Sequence, residues 1–222
     1  MTNLDRKELL KPLLFIGKPN EHEFFVVRIL QRRKDNPEMD LPERQLKVYS
    51  FYRWEELEKN YHRIVEICEL NNARAYIRLN TQDAVEVSHR VVQQIMSNLI
   101  EGNPRKNERV LDSITGQKGK KDYWVVDIDT EHLYIVDSLV EDLKNHYFER
   151  SKGGADGIWT REWSNEVHPI VSNPTKSGVH LIVKPFDTRI LSKYNEDFQR
   201  RNIPIVLIQK DSNTVLYLPE GR

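Results

Sequence analysis

The sequence predicts an α+β fold with a mostly antiparallel sheet in its carboxyl-terminal half. Strand-like and helix-like segments follow one another without the regular βαβ rhythm of a doubly wound sheet, and strand signals crowd into the second half with turn residues between them. The 222 residues, 38% hydrophobic and with 4 Trp, 9 Tyr and 7 Phe, are enough to bury a sizeable core in one domain or two joined subdomains.

Along the chain, residues 22–30 (HEFFVVRIL) combine β-branched and aromatic side chains and read as a strand. The polar stretch that follows, QRRKDNPEMDLPERQ, carries two prolines and reads as a loop before a short strand at 46–51. Trp54, Leu57, Tyr61, Ile64, Val65 and Cys68 recur at helical spacing, which makes Cys68 a small core hydrophobe rather than a redox group or nucleophile. Residues 73–79 alternate, with Ala73, Ala75, Ile77 and Leu79 on one face and Arg74, Tyr76 and Arg78 on the other. A second amphipathic helix follows, with Val85, Val92, Ile95, Met96 and Leu99 on one side, so the first hundred residues read β, β, α, β, α.

Residues 103–121 carry six Lys or Arg against two acids and read as a basic connector between an amino-terminal part, 1–110, and a carboxyl-terminal part, 111–222. The second part opens with the strand YWVVDID. LYIVDS comes next, then a helix at 137–149, a Gly-rich loop at 151–165 with Trp159 and Trp163, a turn at Asn173 to Gly178 and a strand at Val179–Val183. A helix near 190–201 precedes a last hairpin-like pair, IPIVLIQ and TVLYL.

Composition narrows function. Lys+Arg and Asp+Glu both number 34, so general attraction to nucleic acid or to an anionic membrane is excluded and a polyanion site must be built locally. The single cysteine excludes an internal disulfide and a multi-cysteine zinc site, consistent with a reducing cytoplasm. No apolar run is long enough to span a membrane, and the amino terminus lacks the pattern of a signal peptide.

Three clusters can carry chemistry. Asp127 and Asp129 end an apolar strand two residues apart, which directs both carboxylates to one side about 6.5–7 Å apart along it. Such a pair favours Mg²⁺ or Mn²⁺ between its members; the plain alternative is two solvated turn acids. Thr175-Lys176-Ser177-Gly178-Val179-His180 offers donors to a phosphate beside a glycine that permits close backbone approach, although a histidine in an apolar strand is often a core residue with a satisfied partner. Lys210-Asp211 follows IPIVLI and reads either as a turn or as the source of a third carboxylate, for which Asp187 is the rival.

The succession WVVDID, SGVHLIV and VLIQKD resembles the three motifs of the archaeo-eukaryotic primase superfamily, which includes primase-polymerases. The resemblance spans residues 124–211 and implies an amino-terminal α/β module packed on an RRM-like palm. It also implies a metal-dependent nucleotidyltransferase that adds nucleotides from ribo- or deoxyribonucleoside triphosphates to a 3′-hydroxyl on a single-stranded or primed DNA template, with release of pyrophosphate. Carried over, Asp127, Asp129 and Asp211 bind Mg²⁺ or Mn²⁺, while Ser177 and His180 contact the incoming nucleotide with Lys176 and Lys210 beside them. Arg78, with Arg74 and Asn80, is assigned to the nucleotide or template channel, a solvated strand face being the alternative. Trp159 and Trp163 either stack on unpaired bases or anchor their loop. The chain has neither the cysteine-rich zinc module nor the helicase fusion of larger members, which counts against primer initiation without a partner and leaves extension or limited nucleotide transfer; the resemblance to compact stand-alone members implies a helicase or other replication partner and a phage or mobile element acting in a host cytoplasm. The rival readings are a metal-dependent nuclease and a non-catalytic RRM-like nucleic-acid-binding module.

Overall fold

The computed structural model describes residues 3–15, 21–110, 123–129, 133–152, 170–176, 178–200, 207–209 and 213–219. In chain order the elements are α1 (Asn3–Phe15), β1 (Glu23–Arg32), β2 (Glu43–Phe51), α2 (Trp54–Leu70), β3 (Arg74–Arg78), β4 (Gln82–Asp83) and α3 (Ala84–Ile100). A 3₁₀ turn (Pro104–Arg109) leads to β5 (Trp124–Ile128), α4 (Leu133–Lys152), β6 (Val171–Pro174), β7 (Val179–Val183), α5 (Ile190–Arg200), β8 (Leu207–Gln209) and β9 (Asn213–Tyr217). They form two compact units, Met1–Lys120 with Asn213–Arg222, and Lys121–Ser212. Each is α+β, and every strand pairing among the described residues is antiparallel. None of the described helices is long and apolar enough to cross a membrane.

In the first unit the sheet runs β2-β1-β3-β9, with β4 added to β1. The run of buried side chains from Phe24 to Val27, together with Ile29, shows that β1 is covered on both faces, as a central strand must be to bury consecutive apolar residues. Helix α2 packs on β1, β2 and β3 and buries Trp54, Leu57, Ile64 and Cys68. Its end is a Schellman turn: Asn72 takes φ 45° and Ala73 N–H donates to Cys68 O at 2.9 Å. Helix α3 is capped by Asp83, whose carboxylate accepts from the Val85 and Glu86 amides at 2.8 and 3.0 Å, and it ends at Gly102 with φ 72°.

Several expectations change here. Helix α1 is additional to the β, β, α, β, α reading; Pro12 lies inside it and masks the helical signal, yet Leu10, Leu13 and Leu14 are buried. The apolar stripe expected to face the core from α3 is turned outward, with Val85, Val92, Met96 and Leu99 all about half exposed (47–59%). Of that stripe only Ile95 packs inward, with Ala84, Val87 and Val91 against Phe24, Val26 and Val110, while buried Asn98 donates to Asn107 Oδ1 at 2.7 Å. Replacing Val92 with glutamate should therefore shift stability by less than about 0.5 kcal/mol. Val87→Ala should cost about 2 kcal/mol, and urea unfolding of the two variants checks the assignment.

The alternating face of β3 is not solvated. Arg74, Tyr76, Arg78 and nearby Asn80 are buried along with their apolar neighbours. Arg74 is accounted for by a two-bond pair with Asp35, Nε to Oδ2 at 2.7 Å and Nη2 to Oδ1 at 2.6 Å. Around this pair Asn36 donates to Asn72 O at 3.0 Å and Asn72 donates to Asp35 O at 2.7 Å, so the β1–β2 loop is stapled to the α2–β3 turn.

Burial also sets the ionisation of two α2 side chains. Desolvation pushes the Cys68 thiol up from 9.0 to about 12, and it raises the Tyr61 phenol from 10.0 to about 12. The folded state then holds these protons after the unfolded chain has released them, so stability should fall as pH rises from about 9 towards 12. Urea midpoints across that range check the sign, and a thiol reagent should label Cys68 only on unfolding.

The second unit has the order β-α-β-β-α-β, with its strands arranged β6-β7-β5-β8. This is the ferredoxin-like split β-α-β arrangement. The even-numbered residues of β5 and the odd-numbered residues of β7 (Val126, Ile128, Val179, Leu181, Val183) form one core with Val136, Leu139 and Leu143 of α4 and Leu191, Tyr194 and Phe198 of α5. The helices are tied by Tyr194 OH, which donates to Asp142 Oδ2 at 2.7 Å and lies 3.2 Å from Ser138 Oγ. Helix α4 begins at Leu133, so LYIVDS is its first part, four residues ahead of the expected start at 137.

The expected terminal hairpin does not form. β8 pairs with β5 in the second unit, whereas β9 pairs with β3 in the first. Local alternation identifies both strands, but it carries no information about which distant strand each will meet.

Candidate functional site

The site begins with the pleat. Since Val126 and Ile128 point into the helical core, Val125 and Asp127 occupy the other face of β5; likewise His180 and Ile182 occupy the other face of β7. Register then brings these residues together. Asp127 is directly opposite His180, and His180 is directly opposite Asn173 of β6. Asn173, His180 and Asp127 thus form a row across three strands, with the fully buried Val125 and Ile182 one step along the same face.

His180 Nε2 lies 3.4 Å from Asp127 Oδ1, and the two side chains are 9% and 20% exposed. The pair is close enough for ion pairing if the imidazole is protonated, but it is long for a hydrogen bond. Asp129, one residue past the Ile128–Val179 pair and just beyond the end of β5, is exposed. The connection from β6 to β7 leaves the sheet at this same end: Thr175 N–H donates to Gly178 O at 2.9 Å, and exposed Lys176 lies between them. Two carboxylates, an imidazole and a lysine are therefore carried at the same end of this sheet.

The other expected members lie on other elements or outside the described residues. Arg78 belongs to the first unit, where it is buried on β3 in register with Asn213. Asp187 follows β7 at the opposite end from His180 and is engaged by Arg189, whose backbone N–H and Nε both donate to Oδ1 at 3.0 Å. Ser177, Lys210 and Asp211 fall outside the described residues, as do Trp159, Trp163 and residues 111–121 of the basic connector. The described strand β8 does have a direction. Leu207 is level with Asp127 and Gln209 with Val125, so the chain moves away from the Asp127 level by about 3.3 Å per residue.

Among the described residues no group of three or more His, Cys, Asp or Glu is arranged to hold a metal ion. A pair of hard carboxylate oxygens still suits Mg²⁺ or Mn²⁺, which bind through one or two carboxylates and complete their shell with water and phosphate oxygens. Asp127 and Asp129 fit that requirement, one half-buried against His180 and one open to solvent.

Asn173 is the member that sequence reasoning missed, since it was expected at the start of a turn. It lies instead inside β6 and is fully buried. The signal is readable in retrospect: a tight connection closed by Thr175 and Gly178 puts residue 173 opposite residue 180 by counting. Comparison with known proteins supplies no relative for this arrangement: no family model matches the chain, and no match is found among curated proteins or solved structures.

Proposed function

We propose that the chain is a metal-dependent nucleotidyltransferase of the primase-polymerase kind, acting on nucleoside triphosphates and a DNA template. The observation that carries this reading is the cross-strand apposition of Asp127 and His180. Two motifs distant in sequence, one acidic and one of phosphate-donor character, occupy neighbouring strands on the sheet face not covered by α4 and α5. The split β-α-β topology is the frame that an RRM-like palm requires, which is the second support.

In this reading Asp127 and Asp129 hold Mg²⁺ or Mn²⁺, which when bound neutralises charge on the triphosphate. His180 donates from an imidazole nitrogen to a phosphate oxygen, and its placement against Asp127 fixes the ring before the nucleotide arrives. Lys176 adds positive charge at the same end of the sheet. By the motif resemblance Asp211 supplies a third carboxylate.

Labelled nucleotides, Mn²⁺ or Mg²⁺ and single-stranded template, with and without an annealed primer, test the proposal. The expected result is nucleotide-dependent extension of the primed template with pyrophosphate release. Template shortening without any nucleotide requirement would overturn it in favour of a nuclease, and template binding with no reaction would leave a binding module.

A further inference from the structure

We propose that the outward stripe of α3 is a self-association surface, paired antiparallel with the same helix of a second copy of the chain. Val85, Val92, Met96, Leu99 and Ile100 are 47, 59, 53, 50 and 81% exposed. At about 100° per residue they fall within an arc of about 100°, whose centre lies about 130° around the helix from the Val87, Val91 and Ile95 side that packs on β1. Helix α3 is thus apolar on two sides, and its own unit covers one of them.

Area and charge name a second copy as the occupant. At these exposures the five side chains leave roughly 550 Å² in water, a contiguous patch of the size that marks an interaction surface. Two such stripes laid together remove about 1,000 Å², the threshold of a specific interface. The charged residues of the helix, Glu86 and Arg90, lie off the stripe and pair with each other at 3.4 Å, so a copy of the same surface meets no carboxylate, lysine or arginine on it. Spacing supplies the register. Val92 is seven residues from Val85 and seven from Leu99, the heptad interval that keeps a seam facing a partner helix. An antiparallel pair centred on Val92 sets it against Val92 of the partner subunit, Val85 against Leu99 of the partner subunit and Met96 against Ser88 of the partner subunit, large opposite small. The two-fold axis closes the assembly at two chains.

Sedimentation velocity of the full chain between about 1 and 100 µM tests this. A concentration-dependent dimer is expected, with a micromolar Kd at so small an interface, and Val92→Glu should weaken it at least about 100-fold by placing two carboxylates on the axis. Urea unfolding of that variant, at a concentration where variant and wild type are both monomeric, separates lost association from lost folding. Val92→Cys should oxidise to a disulfide-linked dimer, because its two copies meet at the axis, whereas Val85→Cys should not, its copies being about 21 Å apart along the pair. Native Cys68 is buried and does not compete. A wild-type chain that stays monomeric, a Val92→Glu chain that dimerises as well as wild type, or ready disulfide formation through Val85→Cys would overturn the proposal; a monomer that instead binds neutral lipid vesicles would overturn it in favour of a lipid surface.

Discussion

Asp127→Ala is expected to lower primed nucleotide incorporation by about 10³-fold, roughly 4 kcal/mol of transition-state stabilisation, while leaving the circular dichroism spectrum unchanged. The site explains both halves. The Asp127 side chain is 20% exposed and points away from the apolar core shared by α4 and α5, so its loss opens no cavity there. Chemically the loss is twofold, because the carboxylate belongs to the proposed metal pair and also faces His180 Nε2 at 3.4 Å. Asp129→Ala should fall in the same direction. Asp211→Ala tests the third carboxylate that the motif resemblance assigns: a loss comparable to that of Asp127→Ala is expected, and activity within about threefold of wild type would reduce the set to Asp127 and Asp129.

The largest stability effect is expected at the other end of the molecule's chemistry. Removing Asp35 leaves the Arg74 guanidinium buried with its two strongest bonds gone, at side-chain exposures of 10% and 8% for Arg74 and Asp35. Breaking a buried pair from one side costs about 3–5 kcal/mol. For a chain of this size that lowers the thermal midpoint by about 10 °C. Arg74→Met combined with Asp35→Leu should recover most of the loss, because neither charge is then left buried alone. Calorimetry of the single and double variants separates a charge effect from a packing effect, and a double variant as unstable as the single would show that the loop itself needs the pair.

How much of this was legible in the sequence depends on whether the deciding contact is local. The strands carrying Asp127 and His180 are readable from alternation, and the pleat then puts the two residues on the face away from Val126, Ile128 and Leu181. Their adjacency is not readable, because it depends on β7 lying between β5 and β6. In α3 the apolar residues 85, 87, 91, 92, 95, 96 and 99 surround much of the helix, so periodicity alone cannot choose the buried side. Arg74 looks like a surface residue until Asp35 arrives from a loop 39 positions earlier. In each case the sequence displays the element, and the partner that decides its environment comes from elsewhere in the chain.

The return of β9 to the sheet of the first unit makes the second unit an insertion. The chain builds α1 to the 3₁₀ turn, departs to make β5 through β8, and comes back to place β9 beside β3. On a ribosome, the first-made unit is therefore unfinished until the last strand has emerged, and β3 waits with one hydrogen-bonding edge open while the inserted unit folds. Damage would follow the same logic: a break after β8 spares every strand of the inserted sheet and removes an edge from the sheet whose other strands were synthesised first.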